Sequence, residues 1–153
     1  MKKSAKTKDI LAVYNIIKDA KYTKMDDTDK IKAWKISRAL KPIATKLDED
    51  SKDAAEKLRP EGEFEERLKK AQEYERLRNE KKPTIDVMTP VEYDAFLKEF
   101  MKYNENVNNA VKEFGDKEVE VEFEALSEGA FGKLMASNDW TMQQVTIVGD
   151  FIC

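Results

Sequence analysis

Apolar side chains recur three or four residues apart over much of the chain, which is the spacing that places them on one face of a helix. Such a stripe over residues 7–20 predicts a first helix, and a longer stripe over residues 33–58 predicts a second. The acidic run Asp26–Asp29 supplies the N-cap and the acidic first turn that favour a helix start. Pro42 interrupts the second stripe, so we expect a kink or a break near Arg38–Lys41.

The turn Arg59-Pro60-Glu61-Gly62 is the clearest break signal in the first half of the chain. A third stripe follows it, from Phe64 to about Glu80, and predicts another helix. The helices before and after the turn are expected to form a projecting helical hairpin over residues 27–81. Because its apolar stripe is thin, this hairpin would need packing at its base or a partner along its length.

The most apolar helix is predicted over residues 90–114. The preceding segment Thr89-Pro90-Val91-Glu92 has the residues of a capping box, with proline at the first helical position. Gly115 is expected to end the helix in a left-handed conformation. We expect this helix to be the central element of a core that occupies residues 83–153, within a single domain that spans residues 1–153.

Two segments, Thr84–Met88 and Lys117–Glu124, alternate apolar and polar side chains, so they are predicted to pair as strands. Ser127 and Thr141 are the predicted N-caps of two closing helices, although residues 141–152 also fit a strand. The predicted fold class is therefore mainly α with a minor β part (α+β). It consists of a helical hairpin plus a small helical core with a two-stranded β element.

Composition agrees with long, well-solvated helices. Charged residues make up 39% of the chain, with only five Gly and four Pro, and Lys, Glu and Arg are good helix formers. The charge is unevenly distributed. Residues 1–47 carry thirteen Lys and Arg against five acidic residues, whereas residues 115–153 carry two against eight. These ends can attract each other within a molecule or between neighbours in an assembly, or they can bind different partners.

The sequence offers little material for catalysis. It has no histidine and a single cysteine, Cys153, which removes the common nucleophile pairs and the histidine or thiolate metal sites. No Gly-rich phosphate loop is present, and a calcium loop that starts at Asp27 fails at three ligand or turn positions. We therefore assign no catalytic residue, no metal ligand and no cofactor, and we expect a protein that is not an enzyme. A small-ligand or metal-dependent carboxylate site stays an alternative.

A cytoplasmic protein without a membrane segment is expected. A single cysteine gives no intramolecular disulfide, and no stretch of about 18 apolar residues is present. The basic start of the chain is followed by helically spaced apolar residues rather than by the continuous apolar run of a signal peptide.

The basic first half and the aromatic side chains are the best candidates for contact with a partner. We predict a protein partner or self-association through the hairpin and the basic helices. Nucleic-acid binding is the alternative, since clustered cations neutralise phosphates and aromatic rings stack on bases. The acidic overall charge and the lack of a recognised nucleic-acid module favour a protein partner. The candidate contact residues are Lys30, Lys32, Trp34, Lys35, Arg38, Phe64 and Trp140.

The order of the predicted elements resembles that of small uncharacterised helical proteins encoded by bacteriophages and prophages. The likeness covers most of the chain at the level of layout, with local similarity at the strand sequence KEVEVEFEAL (117–126) and at WTMQQ (140–144). It implies a role in virion assembly, tail chaperoning or interference with a host factor. It also implies a location in the host cytoplasm or the virion. It assigns no activity to any residue.

Overall fold

The computed structural model describes every residue from Met1 to Cys153. The chain is 69% helical, with one two-stranded antiparallel sheet, which confirms the mainly α fold class with a minor β part. The elements in chain order are β1 (Lys2–Lys6), α1 (Thr7–Ile17), α2 (Asp27–Lys57), α3 (Phe64–Asn79), α4 (Pro90–Asp116), β2 (Glu118–Glu122), α5 (Glu128–Ala136) and α6 (Met142–Ile152).

The sheet pairs β2 with β1, and the prediction that Thr84–Met88 forms its second strand is wrong. In the observed register Lys2 lies opposite Glu122 and Lys6 lies opposite Glu118. Residues 84–88 instead form a turn, in which the backbone N–H groups of Val87 and Met88 donate to the carbonyl of Thr84. An alternation of five residues is too short to distinguish a strand from a turn. In this turn only one end is buried, because Ile85 is 80% exposed while Met88 is buried.

The structure differs from the predictions at Pro42 and at Gly115, both of which lie inside helices. Pro42 does not break α2, which runs without interruption from Asp27 to Lys57. Leu40 and Ala44, on either side of the proline, are fully buried, and this packing offsets the one backbone hydrogen bond that proline removes. Gly115 lies inside α4, which ends at Asp116. A Cβ at position 115 would lie 3.2 Å from the Cβ of Lys8, so the glycine serves close packing rather than helix termination.

The predicted N-caps Thr89, Ser127 and Thr141 are all confirmed, and at the start of α5 the N–H of Ala130 donates to the Ser127 hydroxyl at 3.1 Å. The N–H of Glu92 donates to the Thr89 hydroxyl at 3.2 Å at the beginning of α4. At the start of α6, Thr141 and Gln144 form a complete capping box, with distances of 3.2 Å and 2.9 Å. Residues 142–152 are therefore a helix, and the strand alternative is wrong.

The chain forms two compact units. The first comprises residues 1–50 and 112–153, and the second comprises residues 51–111. The first unit is built around a core from α1, α2, β2, α5 and α6, whose fully buried side chains are Ile10, Val13, Ile36, Leu40, Leu134, Val148 and Ile152. The second unit has its own core, formed by Phe64, Ala71, Tyr74, Met88, Tyr93 and Phe96.

This division corrects the expected role of helix 90–114. Its buried aromatic side chains, Tyr93 and Phe96, belong to the core of the second unit, where Tyr74 stacks on Tyr93 with ring centroids 4.4 Å apart. The larger core contains none of the residues of α4. A long apolar stripe shows that a helix is buried, but it does not show which core the helix joins.

Candidate interaction surface

The first two thirds of α2 form the most basic helical segment of the chain. Between residues 30 and 47 there are six Lys or Arg and no Asp or Glu. The opposite face of the same segment is apolar: Ala33, Ile36 and Leu40 lie in the core of the first unit. Ala44 and Leu47, further along the same face, are also buried. Because that face is held in the core, the basic face of α2 is presented to solvent at a fixed position.

The start of α2 is fixed by a side-chain cap. The Asp26 carboxylate accepts a hydrogen bond from the backbone N–H of Asp29 at 2.9 Å. This hydrogen bond, reinforced by the Lys133 ammonium group 3.8 Å away, holds the pKa of Asp26 below its usual value. The cap that the sequence predicted at this position is therefore present.

The segment before α2 is held by contacts that the sequence did not reveal. The Asn138 side chain accepts a hydrogen bond from the backbone N–H of Lys21 at 2.8 Å and donates one to the carbonyl of Lys21 at 2.9 Å. Nearby, the Ser137 hydroxyl accepts from the N–H of Lys24 at 2.9 Å. The loop is thus fastened to the end of α5, about 115 residues away in sequence, and no local pattern signals such a contact.

Five residues of α2 form what we call the tryptophan face: Lys30, Ile31, Trp34, Arg38 and Lys41. In a helix that turns by about 100° per residue, the other four project within about 60° of Trp34, and the exposed Asp27 lies on the same side at the N-terminal end of the helix. Trp34 is 53% exposed and Ile31 is 54% exposed, and the two residues are neighbours one turn apart on the helix surface. The guanidinium carbon of Arg38 lies 5.2 Å from the centre of the Trp34 ring, a cation–π distance.

The cations of this region divide into two groups. Lys32, which projects on the far side of the helix from Trp34, pairs with Glu124 at 3.1 Å, and Lys46 pairs with Asp50 one turn later at 3.2 Å. Lys30, Lys35, Arg38 and Lys41 form no ion pair, and the only charged-group contact of Arg38 is with the Trp34 ring. The three cations of the tryptophan face thus lie beside Trp34 and Ile31 without an ion-pair partner within the molecule.

Phe64 was the least suitable of the predicted contact residues. It is 6% exposed and lies among Phe96, Phe100 and Tyr103, with ring centroids 5.3–6.2 Å away, so it has no surface to offer a partner. A core residue and a contact residue on a helix have the same spacing, and for this reason the sequence could not separate them. Trp140 is half-buried and packs against the core of the first unit.

The remainder of the molecule offers an apolar cavity and no metal-binding cluster. A half-open cavity of about 350 Å³ in the first unit has an apolar lining that includes Pro42, Ile43, Leu47 and Phe114. No group of three or more Asp, Glu or Cys side chains is placed to hold a metal ion. No helix has both the length and the apolar content to cross a membrane.

Comparisons of the chain with family models, with curated proteins and with solved structures gave no match.

Proposed function

We propose that this chain is a non-catalytic binding protein and that the tryptophan face of α2 contacts a protein partner. The observation that carries the proposal is the exposure of Trp34 beside Ile31 and Arg38, on a helix whose opposite face is anchored in the core. Tryptophan and arginine are the residue types most enriched among those that dominate binding energy at protein interfaces.

The energetics of such a contact favour this face over the rest of the surface. Covering the exposed half of Trp34 would bury on the order of 100 Å² of mostly apolar area, which corresponds to about 2–3 kcal/mol. The indole ring is already held beside Arg38, and the helix backbone is fixed by the core, so little order has to be gained on binding. Assembly of a virion or tail, or interference with a host factor, would each use a contact of this kind.

Nucleic-acid binding is the second candidate, because the exposed indole of Trp34 lies among the three cations of the tryptophan face, which form no ion pairs. A base can stack on such a ring while the cations neutralise neighbouring phosphates. The apolar side chain of Ile31 beside the ring favours a protein surface instead.

The test uses peptides displayed on phage. A random twelve-residue library is selected on the wild-type chain, and the affinities of the selected peptides are then measured for the Trp34→Ala variant. As a matched control, Met101→Ala removes a different exposed apolar side chain from the middle of a helix. We expect the selected peptides to bind wild type and Met101→Ala alike, and to bind Trp34→Ala at least about tenfold more weakly.

Failure to select any peptide whose binding depends on Trp34 would contradict the proposed function. A fluorescein-labelled single-stranded oligothymidine is measured alongside by anisotropy. Binding of this DNA that is lost in Trp34→Ala would transfer the function to the nucleic-acid candidate.

A further inference from the structure

We propose that the partner of the tryptophan face is an acidic, amphipathic peptide segment, with carboxylates placed around an apolar anchor residue. This inference rests on the proposed function and adds the chemistry of the partner to it. It is carried by the distribution of charge along α2, which is independent of the exposure of Trp34.

The stretch without carboxylates is particular to this part of the molecule. Residues 30–47 of α2 hold six cations and no acidic residue over about five helical turns. In α3, by contrast, acidic and basic residues are mixed, and Arg76 pairs with both Glu73 and Glu80. Such mixed pairs suit an exposed helix without a partner, because opposite charges one turn apart stabilise a helix and like charges destabilise it. A surface that binds an acidic partner needs cations without carboxylates among them.

The cations of the tryptophan face lie on both sides of its apolar centre, and the carboxylate of Asp27, on the same side of α2, lies a turn beyond Lys30 at the helix end. Lys30 lies one turn before Trp34, Arg38 lies one turn after it, and Lys41 lies almost one turn further. Together they cover about 17 Å of helix length. An acidic segment with one large apolar side chain would place that side chain on Trp34 and Ile31 and its carboxylates against the cations.

The acidic residues of a second copy of the chain are poorly suited to this role. The acidic strand β2 is paired in register with β1, where Glu118 and Glu122 lie opposite Lys6 and Lys2. Glu124 and Asp116 pair with lysines of the first unit. These carboxylates therefore have cationic neighbours within their own molecule.

The inference is tested on the peptides selected by their dependence on Trp34. We expect them to be enriched in Asp and Glu around an aromatic or aliphatic residue. In the double variant Lys30→Glu with Lys41→Glu, both reversed charges flank Trp34, while the contact of Arg38 with the ring is kept. We expect its affinity for these peptides to fall at least about tenfold. Raising the salt concentration from 50 to 300 mM should weaken wild-type binding several-fold.

The matched control is the double variant Lys52→Glu with Lys69→Glu. Both lysines are exposed on helices and form no ion pair, so the change in net charge is the same. We expect it to retain peptide affinity within about twofold, and circular dichroism should show that both double variants are folded.

The outcomes separate this inference from the proposed function. Peptides that depend on Trp34 but carry no acidic residues, or that tolerate the reversal at Lys30 and Lys41, would overturn the acidic partner and leave the binding face in place. Equal losses in both double variants would also overturn it, since they would show a general effect of net charge. A lack of dependence on Trp34 would remove the proposed function itself.

Discussion

Gly149 allows α6 to approach α5 more closely than any other residue would permit. A Cβ at this position would lie 2.9 Å from the edge of the Phe131 ring, inside the distance at which carbon atoms repel. Phe131 is buried and belongs to the core of the first unit, so the ring has little freedom to move away. Gly149→Ala should therefore lower the free energy of unfolding by about 1–3 kcal/mol, as measured by urea denaturation.

Gly132 provides the matched control in the same pair of helices. A Cβ at position 132 would meet no atom within 4 Å, and the residue lies inside α5. Gly132→Ala should therefore raise the free energy of unfolding by about 0.5–1 kcal/mol, because alanine loses less backbone entropy in a helix. A Gly149→Ala variant as stable as wild type would show that Phe131 can repack.

At the scale of single residues, local chemistry could be predicted, whereas the burial of an individual aromatic residue such as Phe64 could not. The hydroxyls of Thr89 and Thr141 cap helices as predicted, because a cap depends on residues within one turn. Lys81 has φ 57° and ends α3 in the left-handed conformation that glycine usually takes, so no sequence signal marked it. Phe64 was predicted as a contact and is a core residue, since its burial depends on residues of α4 far along the chain.

At the scale of elements, Arg67 joins α3 to α4 and to the turn before α3. Its guanidinium group donates two hydrogen bonds to the Glu99 carboxylate, at 2.6 and 3.1 Å, and others to the carbonyls of Glu61 and Gly62 at 2.9 and 2.8 Å. It also lies 5.8 Å from the centre of the Phe64 ring. One planar guanidinium group with five donors thus links α3 both to α4 and to the turn before α3.

Removal of Arg67 should destabilise the second unit. Arg67→Ala is expected to lower the free energy of unfolding by about 2 kcal/mol, because four hydrogen bonds and a ring contact are lost from a half-buried position. Arg67→Lys should recover less than half of the loss, since an ammonium group cannot form the two parallel bonds to Glu99. Lys69→Ala, at an exposed position on the same helix, should change the urea midpoint little. A fully stable Arg67→Lys variant would contradict the importance of the fork geometry.

Helices with a long apolar stripe could be predicted from the sequence. A strand whose partner lies far along the chain could not. The stripes of α2, α3 and α4 extend over several turns, and these helices lie close to their predicted bounds. Strand β1, with the sequence KKSAK, holds a single apolar residue and gives no alternating signal. It is a strand because its partner β2, more than 110 residues away, supplies the backbone hydrogen bonds and the opposite charges.

At the scale of the whole molecule, the charge asymmetry of the sequence is partly used within the first unit. Lys8 lies 2.9 Å from Asp116, Lys32 pairs with Glu124, and the lysines at the two ends of β1 face glutamates of β2. The tryptophan face is the part of the basic N-terminal region that keeps its cations unpaired around exposed apolar side chains. Some cations of the basic region therefore pair with acidic residues of the same molecule and stabilise the fold, while the cations of the tryptophan face are available to a partner.

The dependence of stability on pH follows from the carboxylates that hydrogen bonds or ion pairs hold in their charged form. Four carboxylates have a pKa below the usual value: Asp26, Glu73, Glu99 and Asp116. For the first three the largest cause is a hydrogen bond donated to the carboxylate, and for Asp116 it is the contact with the Lys8 ammonium group 2.9 Å away. A carboxylate whose pKa is lower in the folded state stabilises the fold fully above its unfolded pKa, near 4. That contribution is lost as the pH falls through the folded value.

We therefore expect the urea midpoint to stay constant between pH 5.5 and 7 and to fall below about pH 4.5. The plateau follows because the chain has no histidine, the side chain that ordinarily titrates in that interval. Glu99→Gln should be less stable than wild type at pH 7 and should lose less on acidification, since it lacks the carboxylate that Arg67 holds in its charged form. Circular dichroism at a series of pH values measures both curves. A urea midpoint that shifts between pH 5.5 and 7 would point to a titrating group outside these four carboxylates. If the midpoints of wild type and Glu99→Gln fell equally on acidification, the Arg67–Glu99 pair would contribute nothing to the loss of stability at low pH.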